Sequence, residues 1–150
     1  MQQLKILNKK EIKIILAIIK KTWNVDKKLE YAFLMNNKNR LFIVNKDIDK
    51  VDFSKIRVNN LGLYFGELRN GLRLSIEGSQ LIGKYAKKNV LELDDYELNS
   101  WVKGEDMTIK SELKGFVLIK YKDDFYGTGK LIEGKLLNFV PKARRLRVIN

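Results

Sequence analysis

Lys142, Arg144, Arg145 and Arg147 place four cations within six positions of a chain that contains neither histidine nor cysteine. The chemistry open to such a cluster is recognition of phosphate, because each arginine offers a planar fork of donors that meets oxygens two at a time. Over Arg144 to Ile149 the alternation predicts a strand with Arg145 and Arg147 on one face and Leu146 and Val148 on the other. The surrounding stretch, 127–147, holds six Lys or Arg against one acid, Glu133, with three glycines and the only proline, Pro141. Glycine lets a backbone turn tightly or approach a ligand, and proline sits at an edge or turn. The same pattern also serves as a charged guard on a solvated edge strand. These residues alone leave both readings open.

Other chemistries are excluded or weak. Without cysteine or histidine there are no disulfides, thiolate nucleophiles, zinc fingers or imidazole acid–base pairs. Gly127-Thr-Gly-Lys130 is too short between its glycines for a nucleotide phosphate loop, and Leu131 stands where a Ser or Thr would hold magnesium. Asp94, Asp95 and Glu97, and Asp123 with Asp124, could ligate a metal, but helix capping and turn formation account for both sets. No dinucleotide fingerprint follows a strand. The expectation is a protein with no cofactor, no metal and no catalytic residues, hence not an enzyme.

The formal net charge of +12 and pI near 9.8 point to nucleic acid, anionic membrane surfaces or acidic proteins as partners. Residues 1–87 carry 18 basic and 8 acidic side chains, and residues 88–150 carry 12 and 10. In the second part the acids gather over 92–106 and the bases at the end, which suggests one basic face rather than uniform solubilising charge. At 150 residues the chain holds one domain or two small ones. No apolar run is long enough to cross a bilayer and the start lacks the layout of a signal peptide, so a cytoplasmic protein with no membrane partner is expected.

Periodicity supplies the elements that position these residues. Asn8 and Glu11 form a capping-box pattern ahead of Ile12, Ile15, Leu16 and Ile19, an apolar helical stripe. Tyr31–Met35 and Arg40–Val44 read as a hairpin across Asn36–Asn39. The stretch 46–53 is ambiguous; 56–58 and 61–68 read as strands. Asn70-Gly71 turns the chain into Leu72–Leu74. Ser75 caps a helix over Ile76–Ala86, with Lys84, Lys87 and Lys88 at its last turn and Gly78 and Gly83 marking close packing. A second unit begins near Asn89: strand Val90–Leu93, a helix capped by Asp94 and Glu97 and ended by Gly104, a central strand at Phe116–Tyr121, then strands Phe125–Lys130 and Lys135–Asn138. That succession predicts a small barrel behind a first α+β unit, with boundaries 1–87 and 88–150.

The second unit resembles the PUA domain, a small RNA-binding barrel. Asn89–Asp95 is similar to its first strand and helix cap, Trp101–Met107 to its helix end, and Gly115–Lys130 to its central hairpin. The tail Gly127-Thr-Gly-Lys130, with Asn138-Phe-Val-Pro-Lys-Ala-Arg-Arg145, is similar to the PUA-like domain ending some Sun-family RNA five-methylcytosine methyltransferases. Leu61–Glu67 followed by Leu72 to Lys88 resembles the pre-PUA domain of small ribosome-biogenesis factors.

The resemblance implies RNA lying along the helix end and the last strand. It nominates Lys103, Gly104, Lys142, Arg144, Arg145 and Arg147, and, from the methyltransferase-type tail, Lys130 and Asn138. Tyr126 or Phe139 could stack on a base, although core packing explains each. The implied function is non-catalytic binding of rRNA, or else tRNA, in ribosome biogenesis and rRNA processing, with an assembly protein as a possible second partner. The alternative is a detached domain that delivers RNA to a separate RNA-modification enzyme such as a cytosine methyltransferase. No counterpart of that family's catalytic cysteines occurs in these 150 residues.

Overall fold

Helix α1 (Lys9–Trp23) starts on the capping box that its sequence proposes. Asn8 Oδ1 accepts from the Glu11 N–H at 2.9 Å, and Glu11 Oε1 accepts from the Asn8 N–H at 3.1 Å. It ends at Asn24 in the left-handed conformation, and its inner face buries Ile15, Ile19 and Trp23. The structure, a computed structural model, describes residues 4–44 and 62–146. The readings at 46–53, 56–58, 61 and beyond 146 fall outside those residues.

Five antiparallel strands in sequence order make the first sheet: β1 (Lys5–Ile6), β2 (Ala32–Met35), β3 (Arg40–Val44), β4 (Leu63–Leu68) and β5 (Leu72–Leu74). Asn36 shapes the β2–β3 turn by accepting from the N–H groups of Lys38 and Arg40. Asn70 and Gly71, both at positive φ, form the β4–β5 turn. Helix α2 (Ile76–Ile82) follows, capped by Ser75.

The second sheet is mixed and curls into a half-barrel. Its strands are β6 (Val90–Glu92), β7 (Met107–Thr108), β8 (Gly115–Tyr121), β9 (Asp124–Ile132) and β10 (Lys135–Asn138), in the order β6-β8-β9-β10-β7. β6 runs parallel to β8, and the other pairs are antiparallel. Helix α3 (Asp95–Val102) crosses from β6 to β7 behind the expected capping box of Asp94 and Glu97. β8 is an interior strand whose residues 116–119 are buried, as its apolar run predicts.

Three expectations are corrected. The second helix stops at Ile82 rather than Ala86 and tightens into a 3₁₀ turn, Gly83–Tyr85. Ala86 is extended there, and the N–H of Lys87 donates to the Trp23 carbonyl at 2.9 Å, so a tertiary hydrogen bond replaces the next helical turn. Lys84 therefore lies in the 3₁₀ turn, and Lys87 and Lys88 lie beyond the helix end. The strand expected from Arg144 is not a strand where it is described: Pro141, at φ −61°, opens a 3₁₀ turn over Lys142–Arg144, closed by Arg144 N–H to Pro141 O at 2.8 Å. The barrel is open, with β6 and β7 as edges that do not pair among the described residues.

One apolar cluster joins α1 and the first sheet to Phe116, Leu118 and Phe125 of the second. A second cluster fills the half-barrel around Trp101 of α3. Full burial of side chains such as Phe33 and Leu118 contributes about 1.5–3 kcal/mol each. Hydrogen bonds pin the layers: Leu74 N–H donates to Thr128 Oγ1 at 3.1 Å, and Gly127 N–H to Ser79 Oγ at 2.8 Å. Gly78 permits this packing, since a Cβ there would stand 2.2 Å from the Phe65 carbonyl oxygen. No helix among the described residues is long and apolar enough to cross a membrane.

Candidate functional site

The carboxy-terminal turn folds back onto the end of α3. Leu146 N–H donates to Val102 O at 2.8 Å, and Arg145 Nε donates to Val140 O at 2.9 Å. Gly104, at φ +85°, terminates the α3 turn directly beneath Arg145: a Cβ on it would lie 2.2 Å from the arginine Nε. Glycine suits both the left-handed backbone and that approach, since a Cβ there would push the Arg145 side chain aside. The result is that Arg145 lies against Gly104, next in the chain to Lys103, with the terminal nitrogens of Arg145 unpartnered among the described residues. Lys142 is exposed on the 3₁₀ turn that precedes Arg145.

Asn138 is the brace of this corner. Its Nδ2 donates to Trp101 O at 2.8 Å and Glu105 O at 3.0 Å, and its Oδ1 accepts from Val140 N–H at 2.8 Å. With donors and acceptor committed, it positions the α3 end against β10 instead of presenting a free amide to a ligand. Lys130 points away from this corner. Gly129 of β9 faces Trp101, so its neighbour Lys130 faces the other side, where its ammonium lies 5.2 Å from the Phe116 ring centre. Arg144 forms an ion pair with Glu77 of α2 at 2.6 Å. Arg147 lies outside the described residues.

A cavity of about 460 Å³ opens between the two sheets. Arg40, Tyr64, Arg73, Tyr126, Phe139 and Arg144 are among the side chains lining it. Arg73 stacks on Phe139 with its guanidinium carbon 3.8 Å from the ring centre, and its buried Nε has no hydrogen-bond partner among the described residues. Burial, followed by the charge of Glu67, pushes the Tyr64 hydroxyl pKa up. Sequence reasoning missed Arg73 and Tyr64. The signal was the Leu72-Arg73-Leu74 alternation, which sends Arg73 to the face of β5 opposite its two buried leucines. Phe139 does pack, against Phe116 at 6.5 Å, yet it also walls the cavity. Elsewhere Lys84, Lys87, Lys88 and Lys120 ring a depression that includes one acid, Asp123, a second concentration of positive charge.

Residues 88–146 match the family described as the methyltransferase RsmF PUA domain. The chain is 25% identical over 89 residues to the ribosomal RNA small subunit methyltransferase F of Vibrio vulnificus strain YJ016, and equally to that of strain CMCP6. The matched segment takes in 59% of this chain and 19% of those proteins, so the chain spans about a fifth of the length of these curated relatives. The resemblance read from the tail therefore holds, and it takes in the α3 corner, the half-barrel and the turn carrying Arg144 and Arg145.

Proposed function

We propose that this chain, whose residues 88–146 are a PUA domain with a tail of the Sun-family type, binds RNA without catalysis and acts on ribosomal RNA or a pre-ribosomal particle. The observation that carries the reading is the seating of Arg145 on Gly104. It sets Arg145 against the backbone next to Lys103, three residues along the chain from exposed Lys142, and leaves the terminal nitrogens of Arg145 without a partner among the described residues, open to phosphate. Structured RNA is met largely through shape, phosphate and ribose hydroxyls, which suits a rigid cationic corner without a dedicated base reader. In this reading the first sheet with α1 and α2 is a pre-PUA-type unit that orients the half-barrel on its RNA. The surplus of positive charge over residues 1–87 supports a share of the contact for that unit.

The test is binding of small-subunit rRNA fragments by fluorescence anisotropy across a salt series. Lys103→Glu with Arg145→Glu is expected to weaken binding at least about tenfold and to make the slope of log affinity against log salt shallower by about 0.7–0.9 for each phosphate the protein no longer holds. An equal loss from Lys20→Glu with Lys21→Glu, on the far end of α1, would reduce the reading to charge alone. A second reading, in which the chain delivers rRNA or tRNA to a separate modifying enzyme, draws support from the names of the relatives that it matches, which are rRNA methyltransferases. Affinity purification separates the two: ribosomal particles accompany the chain in the first case, a modifying enzyme in the second.

A further inference from the structure

We propose that the cavity between the two sheets is a nucleotide pocket that receives one unstacked nucleotide of a bound single strand, with phosphate on the guanidinium of Arg73 and the base against Tyr64 and Tyr126. The proposal rests on the RNA reading above but uses a different surface from the Lys103–Arg145 corner. The cavity, at about 460 Å³, falls within the usual range of small-ligand sites, roughly 300–1,000 Å³. Its wall combines aromatic faces with three guanidinium groups, those of Arg40, Arg73 and Arg144, against two carboxylates, Glu67 and Glu77, the second of which is paired with Arg144.

Arg73 is the decisive group. Stacking on Phe139 fixes the plane of its guanidinium at 3.8 Å, so the donor fork is pre-oriented rather than free to rotate. Its Nε is already out of water and bonded to nothing among the described residues. That nitrogen is closed to any atom the size of a water oxygen, so an incoming phosphate meets the two terminal nitrogens of the fork, which make no hydrogen bond among the described residues. Arg144 spends its charge on Glu77, and Arg40 reaches the same space from β3. Aromatic faces accept any base, because every base presents a π-face. An inorganic anion would use the arginines and leave the aromatic wall empty, whereas a nucleoside monophosphate uses both.

The experiment titrates the isotopically labelled full chain with 5′-AMP, 5′-UMP, adenosine and inorganic phosphate, following the amide signals of Arg73, Gly127 and Phe139 by NMR. Both monophosphates are expected to shift these signals and to bind at least about tenfold more tightly than adenosine or phosphate alone, since each of the latter lacks one of the two interactions. Arg73→Lys keeps the charge but loses the fork, and is expected to weaken AMP binding at least about fivefold while the fold stays intact. Should Arg73→Lys unfold the chain, Arg40→Gln, which removes a second guanidinium from the wall and is expected to weaken AMP binding, carries the test. The proposal is overturned if saturating AMP leaves the cavity signals in place, if phosphate binds as well as AMP, or if Arg73→Lys binds AMP unchanged. Persistent rRNA binding alongside any of those results removes the pocket and keeps the RNA reading. Nucleotide binding with no rRNA binding does the reverse.

Discussion

Arg144 Nη1 lies 2.6 Å from Glu77 Oε1, which ties the carboxy-terminal turn to the first turn of α2. The two side chains are 47% and 29% exposed, so solvent screens the pair and its net worth is about 1 kcal/mol or less. Its effect on charge is larger, because it occupies one cation of the basic tail. Glu77→Gln is therefore expected to leave thermal unfolding almost unchanged while tightening RNA binding. The salt slope should steepen by about 0.7–0.9 if Arg144 then reaches phosphate. Unchanged affinity and slope would place Arg144 outside the interface.

Gly104→Ala tests the corner itself. Left-handed backbone costs a residue with a Cβ about 1–2 kcal/mol, and here that Cβ would also displace the Arg145 side chain. The variant is expected to lose stability on that scale in denaturant unfolding and to lose RNA affinity together with it. Full stability with a wild-type melting curve would contradict the close approach.

Asn138→Ala removes partners from Trp101 O, Glu105 O and Val140 N–H at once. At about 1–3 kcal/mol for each buried group left unmade, and with water reaching the more exposed Glu105 carbonyl, the expected loss is about 2–4 kcal/mol. Asn138→Asp keeps the acceptor for Val140 but neither donor. It is expected to be nearly as damaging, which urea unfolding would show.

Local signals carried most of the element readings, because local hydrogen bonding settles them. Asn8 with Glu11 and Asp94 with Glu97 are capping boxes in the sequence and in space. Asn70-Gly71 turns where positive φ is tolerated. Gly78, read as a mark of close packing, meets the Phe65 carbonyl. What failed was decided by partners distant in sequence. Nothing near Tyr85 shows that the Trp23 carbonyl will take the Lys87 N–H and end the helix there. Alternation at Arg145 and Leu146 is a strand signal, but among the described residues neither joins a ladder, and Pro141 opens a 3₁₀ turn just before them. The meeting of Gly104 with Arg145 could be reached only through resemblance. Arg73 escaped because a single arginine between two leucines looks like the wet face of an ordinary strand, and its stacking partner, Phe139, lies in the other sheet's territory.

The start of α1 makes a prediction about acid. The Lys5 ammonium, which donates to Glu11 Oε2 at 2.7 Å, is the main cause holding the Glu11 carboxyl below its ordinary value of 4.5, and the Asn8 N–H adds to it. A carboxylate whose folded pKa is depressed contributes stability above its unfolded pKa and loses that contribution as pH falls through the folded one. Glu11→Gln is thus expected to be less stable than the parent by a constant margin at neutral pH, and the margin should shrink as the pH drops below about 4.5. Urea unfolding of both chains from about pH 7 to about pH 2 checks this. A margin that stays the same at every pH would mean that the glutamine lost packing or capping geometry and that the Lys5–Glu11 charge pair contributes nothing.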